Sequence, residues 1–163
     1  MAEAILNHVG KNRFRAFSAG NQPDGQISPF AIEQIQRANL SVGDLHSKSW
    51  NEFAKPDAPT LDFVFTVCDK VSQNDCPVWA GLPMTAIWEI DDPLLTQGSR
   101  EEMHHAFSQA FSQINWRISI FTSLPFAKLS KMALKSELEN ISQLKERRSS
   151  PRPVAPFEPR TAI

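Results

Sequence analysis

The chain has 163 residues, of which 41% are hydrophobic and 21% charged, with a net charge of −1. That is the length of one domain able to bury a core, and the composition of a soluble globular protein. The balance excludes a global basic field for nucleic acid. No apolar run approaches the roughly 18 residues that span a bilayer, and MAEAILNHVGKNR lacks the charged-then-apolar order of a secretory signal.

Residues 1–9 read as a helix, with Ala2, Ile5, Leu6 and Val9 on one face and Gly10 as its stop. RFRAF, 13–17, alternates basic and apolar residues and runs into Ser18-Ala19-Gly20, which predicts a strand feeding a loop. Asn21 to Gly25 is turn material. Ser28-Pro29 then opens a second helix, Ser as cap and Pro in the first turn, with Phe30, Ala31, Ile35 and Ala38 as its apolar face. SKSWNEFA, 47–54, predicts a short helix, and Pro56 to Pro59 a loop.

Residues 61–67 are nearly all apolar, the pattern of a strand covered on both faces. Met84 to Trp88 is a weaker strand. Ser99-Arg100-Glu101-Glu102 has the form of a capping box. It opens the clearest helix, along which Met103, Phe107, Ala110, Phe111, Ile114 and Ile118 keep one stripe. A last helix is expected over about 127–146, with Leu134, Leu138, Ile141 and Leu144 inward. The tail, RRSSPRPVAPFEPRTAI, carries four prolines and predicts a disordered or extended segment over 147–163.

Strands alternating with helices imply an α/β domain, a three-layer sandwich with a parallel sheet. Three strands are few for a sheet covered on both faces, and the chain opens inside a helix with no strand before it.

The two cysteines, Cys68 and Cys76, stand in FVFTVCDKVSQNDCPVW. Cys68 follows the apolar strand directly, at the strand end where open α/β sheets place their chemistry. Mostly polar residues separate the pair, and Asp91-Asp92-Pro93 follows soon after. Two thiols and a carboxylate point to redox chemistry on an anion. A thiol pair in a chain without an export signal fits a reducing cytoplasm, where such pairs are more often catalytic or metal-binding than structural. The plain alternatives are a buried thiol for Cys68, a passive loop residue for Cys76 and a turn-initiating carboxylate for Asp92.

His104 and His105 are adjacent on a helix and face different directions, a poor metal pair, and no histidine stands at zinc-ligand spacing from the thiols. Trp50, Trp79, Trp88 and Trp116 are expected in the core or a pocket wall. Arg147, Arg148 and Arg152 read as a solvated basic tail.

The segments MAEAILN, RAFSAG, LHSKSWNEFA, LDFVFTVCDKVSQNDCPVW, WEIDDP and INWRISIF, in that order, resemble an arsenate reductase of the low-molecular-weight tyrosine phosphatase superfamily. The resemblance covers about residues 1–145, and implies that superfamily's fold over a domain of residues 1–146. In that family a strand leads into a phosphate-binding loop, a Cys, five residues and an Arg, followed shortly by a segment like MAEA. Here Met1 is the Met of that segment. The resemblance therefore implies that the central first strand and its Cys-x5-Arg loop, roughly 15 residues, lie outside this chain. A start codon placed too late, a truncated gene and a chain that never had the loop are the alternatives.

The resemblance also implies a mechanism. A thiolate of the phosphate loop attacks arsenate, held by backbone N–H groups at a helix N-terminus and by an Arg. Asp92 protonates the departing oxygen. Cys68 attacks the sulfur of the Cys–arsenic adduct, releasing arsenite and forming a disulfide. Cys76 then attacks Cys68, leaving a Cys68–Cys76 disulfide for thioredoxin or a small-molecule thiol to reduce. Ser18 either supports the phosphate loop by a hydrogen bond or only shapes its own loop.

Two other functions compete. One is a phosphotyrosine-phosphatase-like hydrolase of the same fold. It has no need of Cys68 and Cys76, and such phosphatases usually carry tyrosines after the Asp-Pro, where this chain has Leu94-Leu95 and contains no Tyr. The other is a non-catalytic, degenerate fragment. The expected partners are the arsenate oxyanion and the thiol reductant, with no cofactor, metal, nucleic acid or membrane.

Overall fold

A computed structural model describes residues 1–67, 79 and 81–144. Four α-helices and two strands follow in the order α1 (Ala2–Val9), α2 (Pro29–Arg37), β1 (Phe63–Thr66), β2 (Met84–Ile87), α3 (Arg100–Ser123) and α4 (Lys131–Ser142). Short 3-10 turns cover Trp50–Ala54, Pro93–Leu95 and Phe126–Lys128.

The helices form for local reasons. α3 begins in a full capping box: the Glu102 N–H donates to the Ser99 hydroxyl, and the Ser99 N–H donates to the Glu102 carboxylate at 2.7 Å. α4 is capped by Ser130, whose hydroxyl accepts from the Ala133 N–H. α2 takes Pro29 in its first turn, but its cap residue, Ser28, makes no side-chain hydrogen bond. α1 stops at Gly10, which has φ −89°, so no left-handed backbone requires the glycine. Space does: a Cβ there would stand 2.7 Å from the Leu6 carbonyl oxygen and 2.9 Å from the Phe14 ring.

β1 and β2 pair in parallel, Phe63 opposite Met84 and Thr66 opposite Ile87. The fold is α/β, helices around a parallel sheet, with two strands among the described residues. α1 and α2 pack on α3, and α4 packs on both α3 and β2. The core joins Ile5 of α1 to Ala86, Trp88, Ile90, Ala110, Ile114, Ile118, Phe121, Leu138 and Ile141. Phe121 sits among four rings, its centroid 5.1 Å from Phe14, 5.2 Å from Phe63, 5.0 Å from Phe65 and 5.3 Å from Phe126.

Four expectations are corrected. Residues 13–17 form no strand, because no neighbouring strand among the described residues offers them a ladder; the nearest sheet-like contact is an isolated parallel bridge between Gly20 and Ser49. The apolar run 61–67 yields a strand only over 63–66, half-buried rather than covered on both faces, and Val67 is exposed. The helix expected over 127–146 is a 3-10 turn followed by α4, with Leu134, Leu138 and Ile141 buried and Leu144 half-buried. Ala38 and Trp116 face solvent rather than the core. The tail 147–163 lies outside the described residues.

Candidate active site

The parallel pairing of β1 and β2 puts both strand ends at one edge of the sheet. That edge is where open α/β folds bind ligands. The ladder continues just past the strands, where the Trp88 N–H donates to the Thr66 carbonyl at 2.7 Å. Trp88 stacks on Phe65 with ring centroids 4.2 Å apart, and Ile90 is buried behind it. This anchors the WEI segment, so that Asp91-Asp92-Pro93 leaves the sheet from a fixed base.

Asp92 caps the 3-10 turn Pro93–Leu95. Its Oδ1 accepts the Leu94 N–H at 2.9 Å, while Oδ2 has no partner among the described residues. The side chain is half-buried; Asp91 is exposed. The turn packs against α3. Leu94 and Leu95, following the Asp-Pro, are both largely exposed. The carboxyl group is thus held by one oxygen, with the other unbonded among the described residues.

Cys68 and Cys76 lie outside the described residues. The described chain reaches Val67, at the exit of β1, and Trp79 beyond.

Beside the sheet, α1 and the 46–50 segment meet in a buried ionic cluster that the sequence reading did not identify. The Glu3 Oε2 accepts from the Ser18 N–H at 2.8 Å, the Ser18 hydroxyl at 2.6 Å and the Lys48 ammonium at 3.2 Å. Lys48 also donates to the His46 carbonyl. A Glu within the apolar face of α1 and a Lys inside SKSW were the available signals, but neither is distinctive without the fold. Ser18 therefore spends both its donors on Glu3, which matches a loop-shaping role. The α-amino group of Met1, at the head of α1, is pushed below its ordinary value by burial, against the opposing pull of the Glu3 carboxylate.

The histidines are placed elsewhere. His104 lies 3.3 Å from Glu33 and edge-on to Phe30, in a surface cluster with Arg100.

Residues 1–133 match the family described as low molecular weight phosphotyrosine protein phosphatase. The chain belongs to that family. A solved structure described as "An arsenate reductase in reduced state" has the same fold. It superposes with a TM-score of 0.54 at 18% identity, over 72% of this chain and 82% of that one. No curated protein sequence matches this chain. The family fold accounts for the parallel β1–β2 pair and for Asp92 at its carboxyl edge. Neither cysteine is followed six positions later by an arginine, so the Cys-x5-Arg loop that the resemblance implies is not among these 163 residues.

Proposed function

We propose that this family member is built for thiol-dependent reduction of arsenate to arsenite, in arsenic detoxification. The observation that carries the reading is that β1 and β2 pair in parallel, so that the chain leaves both at one edge of the sheet: in sequence Cys68 follows the exit of β1, and Asp92 stands beyond the exit of β2 with one carboxylate oxygen unbonded among the described residues. Asp92 is the general acid, and Cys68 and Cys76 form the disulfide relay, recharged by thioredoxin or a small-molecule thiol. The working domain is residues 1–146, with 147–163 a proline-rich tail. Paired thiols doing redox work favour the cytoplasm. No described helix is long and apolar enough to cross a membrane.

The relay is testable without the nucleophile loop. Oxidised with one equivalent of a disulfide reagent, the chain should form an intramolecular Cys68–Cys76 disulfide that thioredoxin reduces, read by mass spectrometry after alkylation. Failure of that disulfide to form, or its resistance to both thioredoxin and small thiols, sinks the relay. By itself the 163-residue chain should not turn over arsenate, and measured turnover would overturn that expectation.

Hydrolysis of phosphotyrosine is the second reading, favoured by the description of the matched family. It predicts that replacing both cysteines leaves function untouched. The reductase reading predicts total loss in any preparation that reduces arsenate.

A further inference from the structure

α3 packs on α1, α2 and α4 through the stripe of Phe107, Ala110, Ile114, Ile118 and Phe121, and its opposite side faces solvent. From Ser108 to Ser123 every exposed residue of the helix is uncharged. The one charged residue in that stretch, Arg117, is buried and donates to the Leu144 carbonyl at 3.1 Å. The solvent face of a helix ordinarily carries charge. α4 follows that rule, with Lys131, Lys135 and Glu139 all exposed.

The middle of the uncharged face is Trp116, 36% exposed. Around it the polarity is lower than the sequence suggests. The Ser119 hydroxyl donates to the Asn115 carbonyl at 2.8 Å, and the Ser123 hydroxyl to the Ser119 and Ile120 carbonyls at 2.8 and 2.9 Å. These side chains spend their donors on their own helix rather than on water. Depletion of charge around an exposed aromatic ring is the composition of an interface core.

The order of the residues identifies the occupant. Ser108, Ser112, Asn115 and Ser119 follow in steps of four, three and four, and so do Ser112, Trp116, Ser119 and Ser123. Those steps keep all six on one stripe. The stripe reads alike from either end: Ser, Ser, an Asn-Trp pair, Ser, Ser. Two copies laid antiparallel therefore set Ser108 against Ser123, Ser112 against Ser119 and Asn115 against Trp116, each twice. A two-fold interface requires that self-match, because the same patch is used on both copies. The small serines let the helix axes approach to about 8 Å, so that each indole can cover the other helix. Gln109 is the one exposed residue of this stretch outside the pattern.

Charge argues against the chain's own tail as the occupant. Residues 147–163 carry Arg147, Arg148, Arg152 and Arg160 against Glu158, and the stripe offers no carboxylate to receive them. An uncharged face is matched by another uncharged face. This one also lies on the side of α3 away from β1, which packs on Phe121, so its exposure does not depend on how the sheet is completed.

We propose that the outer face of α3 is a homodimer interface, an antiparallel two-fold helix pair centred on Trp116. One helix face is smaller than a standard interface, so the association is weak and reversible. The interface is independent of the reductase reading: it uses neither cysteine nor Asp92.

Sedimentation velocity of the full chain, in reducing buffer so that no disulfide joins two copies, should show reversible dimerisation between about 1 µM and about 1 mM. Trp116→Glu puts a charge at the centre of the face, at a position already in contact with water. It should weaken the dimer about tenfold or more and leave the melting temperature of the dilute protein unchanged. Two double variants read the register. Ser112→Glu/Ser119→Lys sets opposite charges against each other across the pair and should dimerise, whereas Ser112→Lys/Ser119→Lys sets like charges together and should not. A monomer at every concentration would overturn the proposal. A dimer that survives Trp116→Glu would overturn it too, and would place the contact elsewhere, on an unpaired strand edge first. Equal behaviour of the two double variants would overturn the antiparallel pairing and the proposal with it.

Discussion

The Lys48 ammonium lies 3.2 Å from the Glu3 carboxylate, with both side chains almost wholly buried. It joins two segments 45 residues apart, and the same carboxylate oxygen ties down Ser18. A buried ion pair is not intrinsically strong, because desolvation offsets much of the attraction. Removing one partner is a different matter, since it strands the other charge. Lys48→Met should therefore cost about 3–5 kcal/mol in urea unfolding, and the double variant Glu3→Gln/Lys48→Met should recover part of it. A single-variant loss under 1 kcal/mol would mean that water reaches the cluster.

Phe121 is the aromatic hub, 1% exposed and ringed by Phe14, Phe63, Phe65 and Phe126. It couples β1 and the 13–17 segment to α3. Phe121→Ala should lower stability by about 3–5 kcal/mol, and Phe121→Leu by clearly less. Equal losses would show that the surrounding rings close the cavity.

Asp92 does two separable jobs, capping the Pro93–Leu95 turn and, in the proposed reaction, giving a proton. Asn keeps an acceptor for the Leu94 N–H but has no proton to give. Asp92→Asn should leave the melting temperature nearly unchanged, while Asp92→Ala should cost about 1 kcal/mol. In any preparation that reduces arsenate, both should cut kcat by about 10²–10⁴. If Asp92→Asn retains full rate, Asp92 is only a cap.

The capping box gives a pH dependence whose sign is fixed. The Ser99 backbone N–H, and secondarily its hydroxyl, hold the Glu102 carboxyl below its ordinary value of 4.5. A carboxyl with a lowered folded-state pKa stabilises above its unfolded value and loses that contribution as pH falls through the folded one. The stability gap between the parent chain and Glu102→Gln should be present at neutral pH, shrink below pH 4.5 and vanish in stronger acid. A gap independent of pH would assign the cap to Ser99 alone.

Residues 15–17 and the outer edge of β1 have backbone groups without a partner among the described residues, and unpaired strand edges template further pairing, an aggregation risk for the isolated chain. The isolated chain should melt irreversibly and at lower temperature than a family member that carries the first strand. A reversible, cooperative melt at ordinary mesophile temperature would count against this.

Much of the fold is legible in the sequence wherever the cause is local. Ser99 to Glu102 marks the start of α3, and Phe107, Ala110, Ile114 and Ile118 mark its buried stripe, because caps and helical hydrogen bonds close within four residues. FTVCD and WEIDDP point to the sheet edge for the same reason: each motif is read within a few residues of its strand. RFRAF shows the limit. Its alternation satisfies the strand pattern, yet a strand exists only when another backbone arrives to pair with it. Here, Asn7 and Glu3 of α1 take one side of that segment, and no described residue takes the other.

By itself, the sequence determined the starts of α1, α2 and α3, the α/β class, the family resemblance and the identity of Asp92, Cys68 and Cys76 as candidates. Only the tertiary structure decided that residues 13–17 stand without a ladder, that Glu3 and Lys48 share a buried contact, and that α3 turns an uncharged face with Trp116 to solvent. Helix formation is settled by neighbours in the chain. Strand pairing, charge burial and cavities depend on groups tens of residues away, whose arrival no local pattern records.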